Sequence, residues 1–462
     1  MKYIDQAKIT ELLETAKNSK AARVESILEK AKSLKRLNLE ETAVLLAIED
    51  PVCLAKVFEA ASYVKDAIYG SRIVLFAPLY VSNVCVNNCL YCAFKADNPL
   101  VERKTLTQEE IKQQVEWLLK RGHKRILLVA GELVPSKEPA NYYVESIKTI
   151  YAASSGPHRI KRVNINCAPL STEGFKKIKS AGIGTYQLFQ ETYHDQTYRL
   201  MHPSGPKSDP DNRIDAIDKA FAAGIDDVGI GALFGLYDYR FEVLALLMHV
   251  EHLENKFGVG PHTISVPRIE PAVGADLTRN IPYQVSDEDF KKVVAALRLS
   301  VPYTGIILST RETPQMRNEL VRLGVSQISA ESRTSPGGYS SIDNNDGNDT
   351  QFCLNDQRTL DEVIGFLIES KLIPSFCAAC YRKERTGEVF MNLAKPGLIK
   401  EKCNINALIT LKEYLDDFAS SKVKIPGYQL INEIKSALNK EDQGLIEDYF
   451  TKIDKGARDT YI

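Results

Sequence analysis

No stretch of this 462-residue chain approaches the ~18 consecutive apolar residues that suggest a membrane span, and its opening, MKYIDQAKITELLETAK, lacks the apolar centre of a signal peptide. Neither sign of charge predominates. With 59 Lys and Arg spread among 60 Asp and Glu, the net charge is -1, and there is no electrostatic case for nucleic acid or an anionic membrane as partner. Internal repeats and low-complexity tracts are absent, which leaves one large domain with an appendage, or two to three smaller ones. Histidine is absent after position 262, so no imidazole from the last 200 or so residues can complete a zinc site there. The composition, 44% hydrophobic and 26% charged, is that of a soluble globular protein. We expect it in the cytoplasm, where thiols stay reduced and clustered cysteines signal metal or catalysis more than disulfides.

Six of the nine cysteines are clustered. Cys85, Cys89 and Cys92 are spaced C-x3-C-x2-C, and Cys377, Cys380 and Cys403 are spaced C-x2-C-x22-C. Three thiolates can hold a [4Fe-4S] cubane by three irons and leave the fourth open, whereas closed redox clusters take four cysteines. A zinc ion also prefers four ligands, and no histidine lies near the first triad. Cys53, Cys167 and Cys353 fit no ligand spacing and read as ordinary buried residues.

Residues 1–70 carry helix-like periodicity. A second rhythm follows, with β-rich segments at 73–82, 125–132, 162–169, 185–192, 227–235, 263–271, 305–311 and 327–332, separated by amphipathic helix candidates such as TQEEIKQQVEWLLKRG and SDEDFKKVVAALRLS. Eight strands alternating with helices predict an α/β fold, a (β/α)8 TIM barrel. GGYSSIDNNDGNDTQF over 337–352 reads as a surface loop, and the remainder as a mostly helical region with cysteines in its middle. The expected domains are an N-terminal helical segment 1–70, a barrel 71–336 and a C-terminal cluster domain 337–462.

The first triad follows the first strand, at the C-terminal mouth where barrel enzymes build active sites. CVNNCLYC resembles the motif of the radical S-adenosylmethionine (SAM) enzymes, whose cluster binds SAM at its open iron and cleaves it to a 5'-deoxyadenosyl radical. The resemblance implies that Tyr91 packs near the adenine. It also implies that Ala130, Gly131 and Glu132 after strand two match a Gly-Gly-Glu segment contacting the SAM amino group, with Ala in place of the first Gly. Arg213 falls where related enzymes place an arginine on the SAM carboxylate, and Glu191 could meet the amino or ribose groups. For such single residues the ordinary role is a surface ion pair or helix-start contact.

FCAACYRKERTGEVFMNLAKPGLIKEKC, with FQETYHDQTY, GIGALFGLYDYR and HTISVPRIEPA, is similar to the HydG family of [FeFe]-hydrogenase maturases, radical SAM tyrosine lyases close to the thiazole-pathway lyase ThiH, which lacks the C-terminal triad. The resemblance implies cleavage of the Cα–Cβ bond of L-tyrosine to p-cresol and dehydroglycine. CO and cyanide then form on an additional iron beside a second [4Fe-4S] cluster, with His262 and a free cysteine as ligands of that iron. Ferredoxin or flavodoxin as electron donor, and other maturation proteins as partners, are implied with it. The alternatives are a lyase that releases dehydroglycine and a non-catalytic Fe-S carrier or scaffold. His262 precedes strand six, so the second triad is expected under the barrel, roughly 20 Å from the first if strands run six to eight residues. That routing requires an internal tunnel, with Gly229, Gly231 and Ala232 as expected lining. Arg311 and Arg333 are candidates for the tyrosine carboxylate, Ser329 for a hydrogen bond to it, and Tyr186, Gln187, Tyr193 and Tyr198 for positions near the site.

Overall fold

Eight parallel strands close into a barrel in the computed structural model, which describes residues 1–17, 19, 21–132, 139–340 and 349–462. They are β1 (Arg72–Ser82), β2 (Arg125–Ala130), β3 (Arg162–Asn166), β4 (Tyr186–Gln187), β5 (Val228–Gly231), β6 (Thr263–Ser265), β7 (Gly305–Leu308) and β8 (Gln327–Ser329). Each pairs with its sequence neighbour, and β8 returns to β1 through Val74–Gln327, Leu75–Ile328 and Phe76–Ser329. All eight expected strands are present, but most are shorter than the six to eight residues expected. β4 has two ladder residues, and the chain beyond it stays extended to an isolated bridge between Glu191 and Ala232.

The helices form where the sequence supplies both an apolar face and a start signal. Thr107 and Glu110 make a reciprocal capping box on Gln108–Lys120, as Asn38 and Glu41 do on Leu39–Leu46 and Thr359 and Glu362 on Leu360–Glu369. Four N-terminal helices cover one flank. The longest of them, Pro51–Tyr69, packs on Asp287–Ser300, and its Tyr69 hydroxyl donates to the Tyr303 carbonyl. Among the described residues no helix is long and apolar enough to cross a membrane.

A ninth strand that the sequence did not suggest, β9 (Ile373–Ser375), pairs in parallel with Arg72–Val74 at the start of β1. This is possible because β1, at 11 residues, begins below its β2 partner, whose pairing starts only at Ala77. β9 therefore brings the C-terminal region to the N-terminal mouth, where helix Ile399–Asp417 packs against it. Of the segment 337–352 expected to loop over the surface, 341–348 lie outside the described residues.

Candidate active site

The loop after β1 is fastened to the barrel by backbone hydrogen bonds. Val86 donates to Glu132 (3.1 Å), Leu90 to Met201 (3.1 Å) and, at the far end, Ala96 to Asn87 (2.8 Å). This fixes Cys85, Cys89 and Cys92 over the C-terminal mouth. Asn87 joins three segments: its Nδ2 donates to Glu132 (2.5 Å) and approaches Cys85 Sγ (3.7 Å), while its Oδ1 accepts from the Lys207 backbone (2.8 Å). Gln351, contributed from far along the chain, points its amide at Cys92 Sγ (3.7 Å) and accepts from Tyr80 (2.7 Å).

Beneath the loop is a cavity of about 210 Å³. All three cysteines line it, as do Tyr91, Ala130, Gly131, Glu132, Glu191 and Arg213. A Cβ at Gly131 would lie 2.4 Å from the Val84 carbonyl, so only glycine lets β2 approach the cysteine loop this closely. Glu191 sits in the left-handed region (φ 71). Burial opposes its charge, but Lys207 (2.8 Å) and Arg213 (3.6 Å) outweigh it and hold its carboxyl below the ordinary range. Lys207 carried no motif in the sequence; only the fold brings it beside Glu191. Tyr91 donates to Nε2 of His202 (2.8 Å), whose Nδ1 donates to the Tyr198 carbonyl (2.7 Å). Burial keeps that imidazole neutral, well below its ordinary pKa.

On the other side of the cavity, Arg311 lies flat over the Phe352 ring (3.4 Å) and donates to the Arg268 carbonyl (3.4 Å). It forms no ion pair among the described residues, and burial depresses its pKa. The buried hydroxyls of Ser329 and Ser332 have no partner, and both line the cavity. Among the described residues, a guanidinium without an ion pair beside two hydroxyls without partners has the chemistry to bind a carboxylate. Arg333 is elsewhere: its guanidinium bonds the Ser332 carbonyl (3.2 Å) and it is not on the cavity wall. Glu331, in the left-handed region (φ 50), breaks the alternation that begins at Ser329, so Ser332 and Thr334 line the cavity and Arg333 does not. Of the four residues expected near the site, Gln187 alone reaches the wall. Tyr186 packs outward on Phe175, Tyr193 on His249, and Tyr198 on His202 behind Tyr91. Of the unclustered cysteines, Cys167 is buried on the cavity wall, but Cys53 is half-buried and Cys353 exposed, against expectation.

The second triad lies at the opposite mouth. The carbonyl of Cys377 accepts from Arg125 at the start of β2 (2.5 Å), and Arg162 at the start of β3 stacks on Tyr381 (3.2 Å). His262, just before β6, sits against Phe390 (4.3 Å between ring centres) and near Tyr381 (6.2 Å). Burial lowers its pKa. Arg72 records where the sulfurs converge: burial opposes its charge, yet Cys403, Cys377 and Cys380 outweigh this and hold its pKa above the arginine norm. Burial pushes up the thiols of Cys89, Cys92, Cys377 and Cys380, those of Cys92 and Cys380 each to about 12. A coordinating metal would deprotonate them.

Spacing of the sulfurs bears on which metal fits. A tetrahedral zinc with Zn–S near 2.3 Å brings sulfurs within about 3.8 Å of each other. Among the described residues, the only trio of His, Cys, Asp or Glu with ligand atoms within 4.8 Å of one another is His158, Glu413 and Asp417. Neither cysteine triad is among such trios. The His158 trio is already neutralised, with Lys124 on Glu413 (3.2 Å) and Arg458 on Asp417 (2.6 Å), and it docks the C-terminal region to the barrel as an ion-pair network.

Between the mouths the barrel is neither solid nor an open tube. A second chamber of about 10 Å³, room for about one water, lies below the main cavity and shares Phe76, Leu127, Gln187 and Ile307 with it. Arg125 and Arg162 form its floor and lead to the second triad. The expected lining by Gly229, Gly231 and Ala232 is not observed. The space beside Gly229 is taken by Thr263 and Gln187, and that beside Gly231 by the Ser265 carbonyl and Phe189. These glycines make room for neighbours rather than for a bore.

The chain matches the sequence models of the Radical SAM superfamily over residues 79–247 and of the Biotin and Thiamin Synthesis associated domain over 265–373. It is 31% identical to 2-iminoacetate synthase of Salmonella typhimurium over 68% of its own length and 80% of that protein. It superposes on the crystal structure of HydG, a maturase of the [FeFe]-hydrogenase, with a TM-score of 0.96 and 48% identity, each chain covered in full. With HydG from Carboxydothermus hydrogenoformans the values are 0.84 and 39%, over 96% of this chain and 97% of the other. Fold, cysteine triads and full-length similarity agree: the chain belongs to the HydG family of [FeFe]-hydrogenase maturases, within the radical SAM superfamily.

Proposed function

We propose that the two mouths act in sequence on one substrate. At the upper mouth L-tyrosine is cleaved at Cα–Cβ to p-cresol and dehydroglycine; at the lower mouth each dehydroglycine yields one CO, one cyanide and water, so that two turnovers supply the two CO and one of the two cyanides of an Fe(CO)2(CN) unit for hydrogenase assembly, the other cyanide being left behind. What supports this reading is one barrel with a cysteine triad at each end and, on the wall of the upper cavity, Arg311 beside the Ser329 hydroxyl, which has no partner among the described residues.

Bound by Cys85, Cys89 and Cys92, a [4Fe-4S] cluster with SAM on its open iron would supply the 5'-deoxyadenosyl radical. The chain does the rest. Gly131 keeps the cysteine loop close to β2, and Glu132, held by Asn87, faces the SAM amino group. Arg213 and Lys207 balance Glu191 and offer positive charge to the SAM carboxylate. The neutral His202 accepts from Tyr91 and so fixes that ring beside the adenine. Arg311, flattened by Phe352, anchors the tyrosine carboxylate bidentately, and Ser329 adds a hydrogen bond. Below, Cys377, Cys380 and Cys403 hold the second [4Fe-4S] cluster, and His262 with a free cysteine holds the additional iron. Ferredoxin or flavodoxin as donor, a cytoplasmic location and other maturation proteins as acceptors belong to the same reading.

Anaerobic turnover of the iron-sulfide reconstituted chain with SAM, reductant and L-tyrosine tests it, beside a Cys377→Ala/Cys380→Ala variant. The expected result is 5'-deoxyadenosine, p-cresol and CO from the wild type, and the first two only from the variant. p-Cresol without CO when both clusters are loaded would instead make the chain a dehydroglycine-releasing lyase, the activity for which its 31% identical relative is named. No 5'-deoxyadenosine at all would leave a carrier or scaffold.

A further inference from the structure

Asp227 immediately precedes β5, at the lower mouth, and only 2% of it is exposed. Both of its carboxylate oxygens are buried without a hydrogen-bond partner. A bare buried carboxylate is expensive, and a cation eases it only at longer range: Arg162 feels its charge, but among the described residues no Lys or Arg nitrogen forms an ion pair with Asp227. The nearby Arg162 is committed to the face of Tyr381 (3.2 Å). What does face Asp227 is the imidazole of His262, with Nδ1 at 3.7 Å from Oδ2. The backbone fixes this pairing, because the amide of His262 donates to the carbonyl of Val228, the residue after Asp227 (2.9 Å). Phe390 against one side of the ring limits its rotation.

We propose that Asp227 is a positioning residue for the auxiliary iron: it accepts the Nδ1 proton of His262, which fixes the tautomer that leaves the Nε2 lone pair free to bind metal. The inference rests on the reading of His262 as an iron ligand. Its physical basis is general. An imidazole can ligate only through an unprotonated nitrogen, and metal-binding histidines donate their other N–H to a carboxylate or carbonyl that sets tautomer and ring orientation. At 3.7 Å the contact is longer than a hydrogen bond, and iron at Nε2, by making Nδ1–H more acidic, strengthens it. An otherwise uncompensated carboxylate thereby acquires its donor.

The test uses the full chain labelled with 15N-histidine, with ring-nitrogen shifts of His262 identified by their loss in His262→Gln. The metal-free wild type is expected to show Nδ1 protonated and Nε2 bare. Asp227→Asn, whose carboxamide oxygen can still accept, should keep that tautomer, and Asp227→Leu should shift His262 to the Nε2–H form. Iron(II) retained by the reconstituted chain in the presence of L-cysteine is the second readout. We expect affinity for the additional iron about 10- to 100-fold lower in Asp227→Leu, a smaller loss in Asp227→Asn, and the cubane irons unchanged in both. An Nε2–H tautomer in the wild type overturns the proposal even if Asp227→Leu fails to fold, and so does an unchanged tautomer in that variant. Full retention of the additional iron by His262→Gln overturns instead the ligand reading on which the proposal rests.

Discussion

The two ends of the barrel hold the same kind of ligand set in opposite ways. At the upper mouth three cysteines fall within eight consecutive residues, on one loop that the barrel backbone holds in place. At the lower mouth they span 27 residues and reach the barrel from the end of β9 and from helices Ala379–Arg382 and Ile399–Asp417. The upper triad is therefore placed once the barrel closes, with Gln351 and Phe352 from beyond β8 completing the wall, whereas the lower one also needs β9 to pair with β1 and the C-terminal helices to dock. Chemistry that must orient a large cofactor and a substrate together sits on the rigid end. The lower end is assembled from separate elements, and it is where the proposed additional iron would sit.

If the ends are independent, a cut at one must leave the other intact, and the largest effect expected is the clean loss of one function. Cys89→Ala should reduce 5'-deoxyadenosine formation to background while the iron held by the lower triad is retained. Cys403→Ala should do the reverse, keeping SAM cleavage close to wild type. Iron content and 5'-deoxyadenosine measured on the same preparations decide the matter; loss of SAM cleavage in Cys403→Ala would mean that the lower domain is needed to build the upper site.

Gly131→Ala probes the backbone side of the same contrast. Its Cβ would meet the Val84 carbonyl at 2.4 Å, and because both atoms belong to backbone held by hydrogen bonds, relief requires the cysteine loop to move. Overpacking of this kind costs about 1–3 kcal/mol. Iron should be lost from the upper site alone, with the melting temperature little changed if the loop yields.

Arg311→Ala tests the proposed carboxylate receptor. Loss of a charge-assisted pair worth about 1.5–3 kcal/mol predicts a KM for L-tyrosine about 10- to 100-fold higher, with affinity for SAM unchanged. Phe352→Ala, which removes only the stacking that flattens the guanidinium, should raise KM about threefold to fivefold. Equal effects on SAM and tyrosine would show that Arg311 shapes the whole mouth instead of anchoring one ligand.

What the sequence revealed follows the same division. The strand and helix rhythm carried the barrel, and the upper triad with Ala130, Gly131, Glu132, Glu191 and Arg213 could be placed because each sits at a strand end or the helix start that follows one. Lys207 and Gln351 were not legible: one lies in an irregular loop and the other about 260 residues from the cysteine it approaches, so neither has a periodic signal. Arg333 is not on the cavity wall because the left-handed backbone at Glu331 (φ 50) breaks the alternation after Ser329, and such a break has no periodic signal in the sequence. β9 was missed because three residues give no pattern, and its pairing depends on the overhang of β1. Small residues on β5 suggested a bore, but a glycine makes space that neighbouring side chains can fill, here Gln187 and Thr263. Asp227 gave no signal at all, since a carboxylate before a strand is ordinary until its burial is known.

The smallest expected effect comes from behind the upper mouth. Glu242, on helix Tyr239–Phe257, is fully buried, accepts from the hydroxyl of Thr192 and from the Tyr193 backbone (2.8 Å), and so holds the segment that presents Glu191 in its left-handed conformation. Burial pushes its carboxyl from 4.5 up to about 8. The folded chain then binds a proton that the unfolded chain releases across this interval, so the contribution of Glu242 to stability is fully present below about pH 4.5 and is lost progressively as pH rises to about 8. Glu242→Gln preserves the shape and can accept from Tyr193 and donate to Thr192, but it does not titrate. The wild type should therefore lose stability relative to Glu242→Gln between pH 5 and pH 8, by on the order of a few kcal/mol at most, read as a falling melting temperature, and the gap should level off above about pH 8. Parallel melting profiles would mean that the carboxylate is ionised in the fold and that its two donors alone offset the burial, in which case the upper mouth is braced by a charge and not by a neutral acid.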